Sequence, residues 1–171
     1  MKYLLGVASA ALMLAGASSA FAAQAQATVT ANATVVTPLS VTATKTLEFG
    51  KLVVNGGVAG TLVVAPSTGN RTSTGGVELV GLQSGVQAGA VRVIGDTVNG
   101  APNPYTVTIP ATATLSSGAN SMSVTGIGSD TASLTTLTGQ SDINIGGTLN
   151  VAGNQAAGAY TGSFVVTAAY N

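Results

Sequence analysis

AYTGSFVVTAAYN, residues 159–171, alternates with a period of two. From Tyr160 every second residue, Tyr160, Gly162, Phe164, Val166, Ala168 and Tyr170, is apolar or glycine, while Thr161 and Ser163 begin the other series. Such alternation puts one set of side chains on a core and the other outward, the pattern of a β-strand. Setting aside the first 22 residues leaves five aromatics, and three of them fall in the last twelve positions. Chain ends fray unless something ties them down. A strand of this quality at the very end therefore asks for a partner.

The beginning of the chain sets the expected compartment. Lys2 is followed by an apolar run from Leu4 to Ala17, then by Ala20-Phe21-Ala22, the small-x-small pattern of a signal-peptidase site. The run falls short of the roughly 20 apolar residues that a spanning helix needs. Residues 1–22 read as a signal peptide, with Ala23 as the mature start and no membrane span after its removal. Ala23-Gln24-Ala25 and Ala25-Gln26-Ala27 fit the same pattern, so cleavage a few residues later is equally consistent.

The remaining 149 of 171 residues are enough for one domain with its own core. Without Lys2 the balance is four basic to five acidic residues, a net charge of −1. Lys45, Lys51, Arg71 and Arg92 are scattered, which excludes a nucleic-acid partner of the basic-patch kind. Charged residues are 6% of the chain, against about 25% in ordinary soluble domains. So sparse a charge favours association between copies.

Cysteine and histidine are absent. That removes disulfides, a histidine base, a thiol nucleophile and a zinc site built from Cys or His. A Ser–Lys dyad would have to use Lys45 or Lys51, both in or beside alternating strands where an outward, solvated lysine is expected. Glu48, Glu78, Asp96, Asp130 and Asp142 form no acid–base pair in sequence. Asp96-Thr-Val-Asn-Gly100 lacks the spacing and closing Glu of a calcium loop and reads as a turn. Neither an enzyme nor a cofactor is expected.

Between the ends, Thr, Val and 23 glycines dominate, with no sustained helical period. Strands are expected at 39–44, 47–54, 60–64, 77–81, 88–94, 105–109, 121–125, 143–151 and 160–170. Turn formers separate them at 55–57, 66–76, 95–104 and 116–120. Short strands at this spacing predict an all-β, immunoglobulin-like β-sandwich. A membrane barrel would need longer strands and aromatic girdles, which five aromatics cannot make.

The mature N-terminus repeats the opening pattern. Ala25, Ala27, Val29, Ala31, Ala33 and Val35 are apolar at one parity, and Gln26, Thr28, Thr30, Asn32 and Thr34 are polar at the other. One reading makes residues 23–36 the first strand of the sandwich. The sharper reading makes it a donor strand, with residues 37–171 forming an incomplete sandwich that another copy's donor completes. Such a contact is heterologous, so it builds a fibre rather than a closed dimer.

These residues resemble chaperone–usher pilins. Their last strand alternates, carries a penultimate aromatic (here Tyr170) and has a glycine fourteenth from the end (here Gly158). Leu47-Glu48-Phe49-Gly50 is similar to the L-x-F-G segment of archaic-type pilins and spore-coat-U-like domains. ATVVTPLSVTAT, LEFG, YTVTIP and GAYTGSFVVTAAYN together look like the exported family called domain of unknown function 4402. The pilin resemblance implies a fimbrial subunit polymerising by donor-strand exchange. Its partners would be neighbouring subunits, a periplasmic chaperone and an outer-membrane usher, on a route through the periplasm to the cell surface. The donor face would be Ala25, Ala27, Val29, Ala31, Ala33 and Val35. The acceptor groove would be lined by Gly158, Tyr160, Gly162, Phe164, Val166, Ala168 and Tyr170, the glycines leaving room for the incoming strand.

Two departures stand out. Many pilins carry an early disulfide, which this chain cannot form, and four of its six donor knobs are alanine. At about 0.8 kcal/mol per buried CH₂, Val29 and Val35 would carry most of the side-chain burial. The alternative is a monomeric secreted module, its own N-terminal strand folded back or its surface binding glycan or matrix. Sugar platforms need exposed aromatics, and the Val107/Ile109 parity assigns Tyr105 to a core instead.

Overall fold

The computed structural model describes residues 24–81, 85–97 and 102–171. The signal-peptide reading at residues 1–22 lies outside the described residues, as do residues 98–101 of the expected 95–104 turn. The chain divides into two units, Met1–Thr34 and Val35–Asn171. In the first, residues 24–34 are exposed and carry no regular secondary structure.

The second unit is all-β, with no helix among the described residues. Its strands are β1 (Ser40–Lys45), β2 (Lys51–Val54), β3 (Gly60–Val64), β4 (Arg71–Gly75), β5 (Val77–Val80) and β6 (Gly89–Ile94). They continue with β7 (Tyr105–Thr108), β8 (Thr112–Ser117), β9 (Asn120–Ser129), β10 (Gln140–Val151) and β11 (Thr167–Tyr170). All pairings are antiparallel. One sheet runs β1-β6-β10-β3-β4, with β9 and then β8 joined to β10, and β2-β5 and β7-β11 form two small sheets.

The long β10 organises the large sheet. Ile145 pairs with Gly89 on one edge and Ser129 on the other, while Thr148–Asn150 pair with β3 and β9. β10 thus exchanges β6 for β3 along a single edge, at Gly146. A Cβ on Gly146 would collide with the Val64 carbonyl oxygen and lie 2.6 Å from Pro66 Cδ, so only glycine allows the crossing.

Alternation then builds the core. Val91 and Val93 of β6, Leu62 and Val64 of β3, and Ile143, Ile145, Leu149 and Val151 of β10 all point inward. Val77, Tyr105 and Val107 from the two small sheets, and Met122 and Val124 of β9, join the same cluster. Each fully buried aliphatic side chain contributes about 1.5–3 kcal/mol. Tyr105 is fully buried, its hydroxyl donating toward Ser141 Oγ at 2.9 Å and the Gly139 carbonyl at 3.2 Å.

Several segments depart from the sequence expectation: of 160–170 only Thr167–Tyr170 is a strand, with a single bridge at Thr161, and of 47–54 only Lys51–Val54, with a bridge at Glu48. Residues 66–76 were expected to be a turn, yet β4 pairs with β3 from Arg71–Val64 to Gly75–Gly60. Its polar side chains hide it from an apolar-period reading, and ladder hydrogen bonds make it a strand. β8 (TATLSS) is equally polar, and it extends as the hairpin partner of β9, which reaches Ser129 rather than stopping at Thr125.

Candidate functional site

Leu47-Glu-Phe-Gly50 shapes one side of the site. Glu48 and Gln87 exchange backbone hydrogen bonds of 2.9 and 3.1 Å, which turns Phe49 into the core. Gly50 then takes φ +74°, where a Cβ would lie 2.8 Å from Arg71 Nη1 and 2.7 Å from Val86 Cγ2. Buried Arg71, on β4, donates to the carbonyls of Phe49 (3.2 Å), Lys51 (2.8 Å), Val80 (2.8 Å) and Gly81. One guanidinium therefore fastens the β2–β5 sheet to the edge of the large sheet.

Between β2 and the C-terminal segment lies an open apolar groove of about 1220 Å³. Leu52 and Val54 form one wall and Tyr160, Phe164 and Val166 the other, over a floor that includes Val91, Val124, Ile145 and Leu149. The volume exceeds the roughly 300–1,000 Å³ typical of small-molecule pockets. The groove is mostly apolar and larger than a compact ligand needs.

One wall offers a strand edge, and the other a segment, residues 160–166, that makes a single bridge at Thr161. β2 pairs with β5 on one edge, and no ladder is assigned to its other edge among the described residues. The last segment pairs with β7 through β11 and touches β8 at the bridge between Ser116 and Thr161. Thr161 and Thr167 are six residues apart, and their partners Ser116 and Thr108 are eight apart, so β7 and β8 follow one antiparallel line with two extra residues near Pro110. Among the described residues no ladder runs along the opposite edge of residues 160–170. Exposure still alternates there: Tyr160, Phe164, Val166, Ala168 and Tyr170 are half-buried, while Val165 is 75% exposed.

Five of the seven residues expected to line the acceptor side, Gly158, Tyr160, Gly162, Phe164 and Val166, line this groove. Ala168 and Tyr170 do not; they sit in β11 opposite Val107 and Tyr105. A Cβ on Gly162 would strike the Thr114 carbonyl, and one on Gly158 would lie 2.6 Å from Ser117 Oγ, so both glycines also let the last segment approach β8. The donor-face residues Ala25, Ala27, Val29, Ala31 and Ala33 fall in the exposed stretch of the first unit, and Val35, in the second, is 89% exposed. The opposite wall, Phe49, Leu52 and Val54, was not singled out from sequence, although the alternation in LVV carried the signal.

Lys45 and Lys51 are exposed, and no cluster of three His, Cys, Asp or Glu residues occurs among the described residues. Asp96 is buried, its carboxylate accepting from Thr37 Oγ1 (3.0 Å) and Asn103 Nδ2 (2.9 Å). On the outer face, Arg92 of β6 and Asp142 of β10 form a cross-strand ion pair at 2.6 Å. The hydrogen bond from Arg92 holds the Asp142 carboxyl below its usual range, and the same bond raises Arg92. No helix among the described residues is long and apolar enough to cross a membrane.

A family model described as a domain of unknown function (DUF4402) matches residues 39–170, and the chain belongs to this family. No curated protein and no solved structure matches it.

Proposed function

We propose that this chain is an exported structural subunit of a bacterial surface fimbria that polymerises by donor-strand exchange. Residues 1–22 would direct export and be removed. The domain that follows would be an incomplete immunoglobulin-like sandwich, and residues 23–36 of a neighbouring copy would complete it. The observation that carries the reading is the apolar groove between the free edge of β2 and residues 160–166, which make one bridge at Thr161; among the described residues neither has a ladder partner on the groove side. Exposed strand edges over an apolar floor are association sites that proteins normally cover.

The proposed occupant fits in period and length. Ala25–Val35 and Tyr160–Tyr170 each span eleven residues, about 33 Å as a strand. One parity of the donor would set Val29 and Val35 into the groove, and the Gln/Thr/Asn parity would face water. A periplasmic chaperone would cover the groove before assembly, and an outer-membrane usher would receive the subunit. No catalysis or cofactor enters the reading.

The glycan-binding alternative has less to stand on. All five aromatics among the described residues are buried or half-buried, which leaves no flat exposed platform. Insertion of a chain's own strand is the remaining rival.

The test is to run the sheared surface fraction of the producing cells on SDS gels, unboiled and boiled. A ladder of multiples that collapses to one band on boiling is expected, because an inserted strand leaves only across an unfolding barrier. Val29→Asp should abolish the ladder while export continues. A single monomer band in both lanes would overturn the proposal.

A further inference from the structure

Tyr170 and Asp96, outside the groove, meet at the point where the N-terminal extension joins the domain. The Tyr170 hydroxyl donates to the Thr37 carbonyl at 2.8 Å and accepts the Asp96 N–H at 2.7 Å. Asp96, only 1% exposed, accepts from the Thr37 hydroxyl at 3.0 Å and its N–H at 3.4 Å, while Asn103 Nδ2 fixes the second carboxylate oxygen at 2.9 Å. Thr37 is thereby held to two residues 59 and 133 positions away in sequence. Tyr170 is itself fixed, pairing with Tyr105 in the β11–β7 ladder, and the next residue's N–H donates to the Pro104 carbonyl at 3.1 Å.

We infer that Tyr170 and Asp96 anchor the root of the N-terminal extension to the end of the last strand, so that a pull on the extension enters the domain through that strand. The anchor stands on its own geometry; its use under tension rests on the fibre proposed above. In such a fibre a subunit is pulled at its extension and holds its neighbour at residues 160–166. The anchor joins both points to one strand. Force entering at Tyr170 and leaving at residues 160–166 runs along the backbone of one segment, so the bonds loaded first are those of the Thr37–Tyr170–Asp96 anchor.

The chain has no cysteine, so thiol handles can be placed at will. Single molecules carrying Thr28→Cys and Ser163→Cys would be stretched with and without Tyr170→Phe, which removes one hydroxyl and keeps the ring. The expected result is a lower force for the first rupture in the variant. With handles at Thr72→Cys and Asn120→Cys, which load other strands, the force should not change. Thr37→Val should reproduce the effect, and amide exchange should show lost protection at Asp96 N–H in Tyr170→Phe. Equal first-rupture forces in the Thr28–Ser163 geometry, or an equal drop in both geometries, would overturn the anchor. Fibre formation is scored separately. Fibres with unchanged force would sink the anchor alone, and lowered force without fibres would sink the fibre alone.

Discussion

Consider a synthetic peptide with the sequence of residues 24–36 added to the protein lacking residues 1–22. If the groove accepts this strand, the peptide binds the folded state alone and stabilises it by mass action. At 100 times its Kd the gain is about 2.7 kcal/mol, which for a domain of this size is a rise in Tm of about 5–10 °C. Val29 is the larger side chain in the middle of the proposed donor face, and the groove floor is aliphatic. Val29→Ala in the peptide removes two CH₂ equivalents, about 1.6 kcal/mol, or roughly 15-fold in affinity. At the same concentration the gain falls to about 1.2 kcal/mol, less than half the original shift. A Val29→Asp peptide would bury an unpaired carboxylate and should give no shift. Thr30→Ala, on the outward parity, should behave like the parent peptide. Scanning calorimetry reads all four. Equal shifts for the Val29 and Thr30 variants would refute the parity argument, and no shift with any peptide would refute the groove as a strand acceptor.

Arg71→Met keeps the aliphatic stem but strands the carbonyls of Phe49, Lys51, Val80 and Gly81; a loss of about 3–5 kcal/mol is expected, read as a lower urea midpoint. Gly50→Ala and Gly56→Ala separate strain from crowding. Both need positive φ, but a Cβ at Gly56 meets nothing within 4 Å, whereas at Gly50 it meets Arg71 Nη1 at 2.8 Å. Gly56→Ala should cost about 1–2 kcal/mol and Gly50→Ala clearly more in the same urea titration; equal costs would contradict the packing at Gly50. The Asp142 carboxyl is held below its ordinary value by Arg92, so its stabilising contribution is present above that value and lost as pH falls through the lowered folded-state value. Arg92→Ala should flatten this acid limb in a pH series of unfolding curves, and an unchanged slope would show that the pair has no role.

Period-two alternation is local, which is why β3 and the neighbourhoods of β1, β5, β6 and β7 could be read directly from their residues. The polar strands β4 and β8 could not, because their extended form comes from ladder bonds to β3 and β9 rather than from an apolar face. The inward parity of residues 160–170 was likewise legible, since it needs only the identities of alternate residues. What lies beside each of them was not. Gly158 and Gly162 owe their identity to the approach of β8, Tyr170 owes its hydroxyl bonds to Asp96 and Thr37, and Arg71 looks like any exposed cation until β4 turns it under β2. The second wall of the groove is supplied by residues about a hundred positions from the first. A strand carries its own face in its sequence, but its edges belong to whichever distant segments the fold brings alongside, and a groove is made of edges.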